Sequence, residues 1–244
     1  MINVVIPMAG AGSRFVKAGF KAPKPFIDVL GKPMICHVLD NLNIQNARFI
    51  LLVRRDHYES EPETIQWIRM HYNVEYVMID KLTEGAACTV LYAHRLINND
   101  TPLLIANSDQ IVDMNVADYI ADSDNRHLDG SILCFTDETM NPSYSFAKVD
   151  EHGIVEEVRE KQPISTHATV GIYYYAKGSS FVNGAVDMVV HNDRVNNEFY
   201  VAPVYNYAIA QGEKFGIYDI EFSQMHGTGT PADLDKYIAI KNIY

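Results

Sequence analysis

Short apolar runs alternate with helix-like stretches through the first half of this chain, and that alternation most narrows the folds it can adopt. The four runs, rich in β-branched residues, are residues 2–7, 49–53, 74–79 and 103–106. Residues 33–42 begin with Pro and residues 61–72 begin with an acidic residue, both of which favour a helix start. Strands that alternate with helices predict a parallel sheet whose ligands bind beyond the carboxyl ends of the strands.

The pattern changes at residue 131, where strand-like runs follow one another closely. These runs are residues 131–135, 146–149, 154–158 and 168–175, with helix-like stretches at 179–191 and 233–244. We therefore expect an α/β fold with a mixed, mostly parallel sheet flanked by helices. With 244 residues, 48% of them hydrophobic, the chain is expected to form a single domain over 1–244.

Composition excludes several function classes. A formal net charge of -11 argues against nucleic acid as the partner, which would select a basic face. No apolar run in the sequence approaches the ~18 residues that span a bilayer, and the N-terminus begins with a strand-like run. We therefore expect a cytoplasmic protein that does not use a membrane. Cys36, Cys88 and Cys134 are widely separated, which favours reduced thiols over a zinc site.

A glycine loop follows the first strand-like run, and residues 8–15 read MAGAGSRF. Gly10 and Gly12 let backbone amides approach an anion closely, since no Cβ obstructs it. Cationic side chains crowd the same region, against the single acid Asp28; they are Arg14, Lys17, Lys21, Lys24 and Lys32. In an acidic chain, this local excess indicates a polyphosphate ligand. The dinucleotide fingerprint G-x-G-x-x-G is excluded because Phe15 stands at its third glycine, and no Walker A motif occurs.

Further motifs follow this loop in order along the chain. They are KP at 24–25, LTEGAA at 82–87, LLIANSD at 103–109, YS at 144–145, EK at 160–161, TVG at 169–171 and Glu198. The ordered set resembles the sugar-phosphate nucleotidyltransferases, the family of glucose-1-phosphate thymidylyltransferases, uridylyltransferases and phosphocholine cytidylyltransferases. This resemblance covers nearly the whole chain and implies a Rossmann-like (GT-A-type) fold. It also implies a nucleotide-binding half over 1–130 and an acceptor-binding half over 131–244.

The resemblance implies a nucleoside triphosphate site in the first half. Its predicted residues are Met8, Ala9, Gly10, Ala11, Gly12, Ser13, Arg14, Lys24, Glu84, Gly85, Ala86, Asn107 and Asp109. Arg14 and Lys24 would act in catalysis by neutralising the triphosphate, and the backbone near Gly85 would read the base. Asp109 is the predicted ligand of the cofactor Mg²⁺, which needs only one or two carboxylates when phosphates and water complete its shell.

The resemblance also implies a site for a phosphorylated small-molecule acceptor. Its predicted residues are Tyr144, Ser145, Glu160, Lys161, Thr169 and Glu198, with Lys161 as the catalytic cation on the acceptor phosphate. The chain departs from the family on this side, since Gly227 stands where a second metal-binding Asp is usual. Gln162 is inserted after the Glu-Lys pair, and Pro203 replaces a common Asp. These departures leave the acceptor open.

The implied reaction is Mg²⁺-dependent nucleotidyl transfer, in which an acceptor phosphate attacks the α-phosphorus and pyrophosphate leaves. The expected acceptor is a sugar phosphate for surface polysaccharide synthesis. Three alternatives remain: a cytidylyltransferase for a non-sugar phosphate such as phosphocholine, a glycosyltransferase on the same fold, and a non-catalytic nucleotide-binding module. The sequence names neither the base nor the acceptor, and it leaves a homo-oligomer open. Glycosyltransferases usually carry Asp-x-Asp where residues 107–109 read NSD.

Overall fold

The computed structural model of the chain describes residues 1–242. Its strands are β1 (Ile2–Pro7), β2 (Asp28–Val29), β3 (Lys32–Pro33), β4 (Ala47–Arg54), β5 (Val74–Ile79), β6 (Leu103–Ala106), β7 (Gln110–Val112), β8 (Gly130–Thr136), β9 (Ser145–Val149), β10 (Val155–Glu160), β11 (His167–Tyr175), β12 (Phe215–Ile220) and β13 (Met225–Gly227). Its helices are α1 (Ser13–Lys17), α2 (Met34–Asn41), α3 (Arg55–Ser60), α4 (Pro62–His71), α5 (Ala86–Leu91), α6 (His94–Ile97), α7 (Val116–Asn125), α8 (Gly178–Val190), α9 (Val204–Ala210) and α10 (Pro231–Lys241).

Within residues 1–242, nine strands form one twisted sheet. The main path runs β10-β9-β11-β6-β1-β4-β5, and β8 and β12 join through β11. The first-half strands β1, β4, β5 and β6 are parallel neighbours. In the same sheet, β10 and β11 are antiparallel to the other seven strands. The predicted α/β fold with a mixed, mostly parallel sheet is confirmed.

Helices cover both faces of the sheet because alternate side chains of each buried strand point to opposite faces. Val4 and Ile6 of β1 pack in a core with α2, α4, α7 and α10. Val5 points the other way, into a second core with α5, α6, α8 and α9. Buried apolar layers on both sides hold the strand ends rigidly, which is what a precise binding site requires.

Several elements differ from the sequence-based expectation. Helices α7 and α9 and strand β12 were not predicted, and β10 extends two residues beyond the predicted end, so that Glu160 closes a strand. The last helix starts earlier than predicted, at Pro231, because Thr230 caps it by accepting a hydrogen bond from the Asp233 amide at 3.1 Å. Residues 243–244 of the predicted helix lie outside the described residues.

Two composition-based expectations concern thiols and membranes. Cys36, Cys88 and Cys134 are free thiols, as predicted, and Cys36 and Cys134 are buried in the two cores. Among residues 1–242, no helix combines the length and the apolar character that crossing a bilayer demands.

Candidate active site

The predicted phosphate-binding residues meet where β1 and β6 end. The two strands are parallel neighbours, with Val5 opposite Ile105, so the loops that leave them lie side by side. A cleft of about 300 Å³ opens between these loops. Its lining includes Met8, Gly10, Gly12, Ser13, Arg14, Lys24, Ser108 and Gly229. The fold therefore gathers the glycine loop and the two predicted triphosphate cations at one cleft.

Gly12 shapes the glycine loop. Its φ of 59° lies in the left-handed region, and its carbonyl accepts hydrogen bonds from the Phe15 amide at 2.9 Å and the Val16 amide at 3.2 Å to start α1. A Cβ at this position would stand 3.2 Å from the Cβ of Lys24. Phe15 is buried and anchors the helix. Position 12 therefore favours glycine for two reasons, the left-handed backbone conformation and the close approach of Lys24.

Lys24 spans the cleft and forms an ion pair with the carboxylate of Asp109. The Lys24 side chain is 16% exposed and the Asp109 side chain 29%, so both groups remain open to a ligand. Arg14 is exposed on α1 and lines the same cleft. The cationic cluster has fewer members than the sequence indicated, because Lys32 lies outside the cleft and pairs with Asp40 at 2.9 Å.

The turn that precedes α10 closes on Asp109. The Thr228 amide and hydroxyl donate to the Asp109 carbonyl at 2.7 and 3.1 Å. A Cβ on Gly229 would stand 3.0 Å from Asp109 Oδ2, so glycine keeps the carboxylate accessible. In the described part of the chain, no cluster of three His, Cys, Asp or Glu residues is placed to hold a metal. A single carboxylate beside a cleft lined by cationic side chains could hold Mg²⁺, which needs only one or two carboxylates when phosphates and water complete its shell.

His226 and Gly227 line a second cleft of about 390 Å³ next to Asp109. Both residues belong to β13, which pairs with β7 and sets Gly227 opposite Gln110. His226 Nε2 lies 2.6 Å from Asp113 Oδ2, so its imidazole is engaged away from Asp109. A Cβ on Gly227 would meet only Gln110 Oε1, at 4.0 Å. The missing side chain therefore leaves space beside Gln110.

Five of the six predicted acceptor residues line a third cleft, of about 400 Å³, whereas the sixth, Glu198, is exposed and is not part of its lining. Its walls include Tyr144, Ser145, Glu160, Lys161, Thr169, Tyr173 and Tyr200, together with Ala86 and Asn107. Strands β9 and β10 pair so that Ser145 faces Glu160, and the Ser145 hydroxyl donates to the Glu160 carboxylate. Burial raises the pKa of Glu160 above its ordinary value. Ala86 and Asn107, predicted for the nucleotide, border the acceptor residues here.

Lys161 is held in place by its backbone and by Tyr200. Its φ of 55° is left-handed, and its amide donates to the Tyr144 carbonyl at 3.0 Å. Its ammonium donates to the Tyr200 hydroxyl at 2.6 Å and lies 4.5 Å from the centre of the Tyr200 ring. The Tyr200 hydrogen bond raises the pKa of Lys161, which therefore stays cationic. Tyr200 was not predicted; its position two residues after Glu198 was the available signal.

Gly171 joins the end of β6 to the third cleft. The Asn107 amide donates to the Gly171 carbonyl at 3.0 Å, and a Cβ on Gly171 would overlap the Asn107 side chain. Gly171 has a φ of 95°, and the β11–β8 register shifts between Thr169 and Tyr173. The Thr169 and Tyr173 hydroxyls, at the two ends of this irregularity, lie 3.1 Å apart. The bulge thus presents a polar wall to the cleft.

Gly85 lies where β5 leads into α5. Its φ is 124°, and a Cβ would overlap the backbone of Phe199. The Phe199 amide donates to the Glu84 carbonyl at 2.7 Å, and the Ala87 amide donates to the Phe199 carbonyl at 3.0 Å. The glycine is therefore required by a close backbone approach. Base reading by this segment stays a prediction.

The three clefts adjoin one another. Gly229 borders the first and second, and Gln110 and Tyr144 border the second and third. We call this series of adjoining clefts, from the glycine loop past Asp109 to Lys161, the groove. Cationic side chains stand at both of its ends, with a carboxylate between them, an arrangement suited to two phosphorylated ligands and one divalent cation.

Known proteins share this fold and sequence pattern. The profile of the family described as nucleotidyl transferase matches residues 3–221. The bifunctional protein GlmU of Methanococcus maripaludis (strain C5) is 28% identical over 124 residues, which cover 51% of this chain and 28% of that protein. A mannose-1-phosphate guanyltransferase of Yarrowia lipolytica is 28% identical over 116 residues, covering 47% of this chain and 32% of that protein. The matched region thus spans about a third or less of either relative.

A solved structure extends the likeness to the whole fold. The nucleoside-diphosphate-sugar pyrophosphorylase from Vibrio cholerae RC9 superposes with a TM-score of 0.81 at 22% identity. The superposition covers 97% of this chain and 99% of that one. At this identity the likeness establishes the fold.

Proposed function

The chain belongs to the nucleotidyl transferase family, and we propose that it couples a nucleoside triphosphate to a sugar phosphate with release of pyrophosphate. The observation that carries this proposal is the groove, which has Arg14 and Lys24 at one end and Lys161 at the other. The names of the relatives, a mannose-1-phosphate guanyltransferase among them, support a sugar phosphate as the acceptor. The product would be an activated sugar for surface polysaccharide synthesis.

In the proposed reaction, an oxygen of the acceptor phosphate attacks the α-phosphorus of the triphosphate, and the bond to the β-phosphate breaks. The attacking oxygen is already an anion, so no general base is needed. Arg14 and Lys24 stabilise the charge of the triphosphate and the departing pyrophosphate, and Lys161 orients the acceptor phosphate. Mg²⁺ held by Asp109 would supply further positive charge at the phosphates.

The ion pair between Lys24 and Asp109 links a cation proposed for the triphosphate to the carboxylate proposed for Mg²⁺. Each group is the ionic partner of the other. A triphosphate offers Lys24 a stronger anionic partner, and Asp109 is then released toward a cation. The proposal assigns the nucleotide mainly to residues 1–130 and the acceptor mainly to 131–244 of a single domain.

A pyrophosphate-release screen tests the proposed function. Five nucleoside triphosphates are crossed with sugar 1-phosphates and phospho-alcohols, each with and without Mg²⁺. We expect pyrophosphate only when triphosphate, phosphorylated acceptor and Mg²⁺ are all present, because the groove is cationic at both ends. Turnover of a non-phosphorylated acceptor would contradict this. Activity confined to CTP and phosphocholine would identify the non-sugar cytidylyltransferase, and consumption of a nucleotide sugar without pyrophosphate would identify a glycosyltransferase.

Lys161→Ala should act through the acceptor. We expect kcat/KM for the acceptor to fall on the order of 10²-fold, mainly through KM, because one phosphate-binding cation is lost. The triphosphate dissociation constant, measured by calorimetry, should stay near the wild-type value. Lys148→Ala is the matched control, since Lys148 is exposed on β9 and pairs with Glu156 at 2.8 Å. An equal loss of triphosphate affinity would show that the two ends are misassigned.

A further inference from the structure

A short hairpin contacts both the segment around Glu84, which is predicted to read the base, and Lys161. The backbones of Val195 and Glu198 exchange hydrogen bonds of 3.0 and 2.9 Å. Asn196 and Asn197 between them have φ values of 49° and 64°, so both turn residues are left-handed, as in a type I′ turn. We call residues 194–200 the 194–200 hairpin. Two backbone hydrogen bonds thus close its turn.

One side of the 194–200 hairpin holds the segment around Glu84. Arg194 Nη2 lies 2.5 Å from Glu84 Oε2. Next to this ion pair, the backbone of Phe199 bonds to Glu84 and Ala87 on either side of Gly85. Three contacts therefore tie the predicted base-reading segment to the hairpin.

Arg194 is itself fixed in orientation. Its guanidinium carbon lies 4.2 Å from the centre of the buried Phe199 ring, a stacking distance. Its Nε donates to Asn192 Oδ1 at 2.6 Å, and its Nη1 donates to the Asn197 carbonyl at 3.3 Å. A planar guanidinium suits this combination of stacking, ion pairing and directed hydrogen bonds, which lysine cannot reproduce.

The other side of the same hairpin contacts Lys161, the cation predicted to bind the acceptor phosphate. Tyr200 directly follows Phe199 and accepts the hydrogen bond from Lys161. Because Phe199 and Tyr200 are adjacent, a shift of the Phe199 backbone displaces the Tyr200 hydroxyl. The contact that Arg194 makes to Glu84 is thus connected to Lys161 through one short covalent segment.

We propose that Arg194 is a positioning residue that couples the segment around Glu84, which is predicted to read the base, to Lys161 through the 194–200 hairpin. This inference rests on the proposed function for the identity of the two ligands. Nucleotide bound against the segment around Glu84 would stabilise the hairpin, and the hairpin would hold Tyr200 and Lys161 in place for the acceptor. Each substrate would then strengthen the binding of the other.

Amide hydrogen exchange tests the mechanical part of the proposal without any ligand. In Arg194→Ala, the amides of Phe199 and Ala87 should exchange at least about tenfold faster than in wild type, because the restraint on their hydrogen-bonded segment is lost. Arg48→Ala is the control, since Arg48 forms a similar ion pair with Glu75 on β4 and β5 away from the hairpin. Unchanged protection of both amides in Arg194→Ala would overturn the inference.

Kinetics test the coupling with the substrates that release pyrophosphate in the screen. In wild type, we expect saturating triphosphate to lower the apparent KM of the acceptor by about fivefold or more, a typical size for coupling between sites. Arg194→Ala should abolish this dependence, and Arg194→Lys should restore part of it by keeping the ion pair. The coupling is refuted if Arg194→Ala retains the wild-type dependence at normal folded content. Wild type that releases no pyrophosphate with any pair would refute the proposed function instead, and the exchange experiment would still decide the role of Arg194.

Discussion

Asp109→Asn is expected to lower kcat by at least about 10³-fold while the protein stays folded. Asp109 contributes the only carboxylate that the proposed scheme places on Mg²⁺, and Gly227 offers no side chain to replace it. Asparagine keeps the shape and the backbone contacts with Thr228. The substitution therefore removes charge from the cleft without removing its support. Initial rates of pyrophosphate release at saturating Mg²⁺ measure the effect.

Asp113→Asn is the matched control, because Asp113 lies four residues further on and pairs with His226 outside the phosphate cleft. We expect Asp113→Asn and His226→Ala to keep most of the activity, since imidazole is a poor ligand for Mg²⁺. A large loss of activity in either of these variants would require another metal site. If His226→Ala were as damaging as Asp109→Asn, and Mn²⁺ or Co²⁺ far exceeded Mg²⁺ in supporting activity, the assignment of the metal to Asp109 would be wrong.

Arg14→Ala and Lys24→Ala should each lower kcat on the order of 10² to 10³-fold, the usual cost of removing one group that stabilises transition-state charge. Both side chains line the cleft beside the glycine loop. Neither is part of an apolar core, so thermal unfolding should stay close to that of wild type. Single-turnover rates with saturating triphosphate separate this effect from weakened binding.

Lys17→Ala provides the comparison for these two variants, because Lys17 is an exposed cation on the same short helix as Arg14. A rate near wild type in Lys17→Ala, together with the losses in Arg14→Ala and Lys24→Ala, would assign the effect to the cleft rather than to general surface charge. Wild-type rates in purified Arg14→Ala and Lys24→Ala would show that these two cations are solvated surface residues with no part in catalysis.

Local sequence patterns predict much of the phosphate cleft. The glycine loop follows one apolar run, and the LLIANSD segment contains another. Parallel strands bring the ends of such runs to one edge of the sheet. For the same reason, Arg14, Lys24 and Asp109 are found together. Glu160 and Lys161 lacked such a signal, since they extend a run of charged residues, and only the family resemblance marked them.

The sequence by itself determined the alternation of strands and helices in the first half and the glycine loop, and it predicted a polyphosphate ligand, because these depend on apolar periodicity and on charges that are near in the chain. Tertiary structure alone decided that Lys24 pairs with Asp109, that His226 pairs with Asp113, and that Lys161 donates a hydrogen bond to Tyr200. It also placed Ala86 and Asn107 beside the acceptor residues. These contacts join residues far apart in the chain. Their partners are chosen by strand pairing and by close approaches such as those at Gly85 and Gly171, which no local pattern encodes.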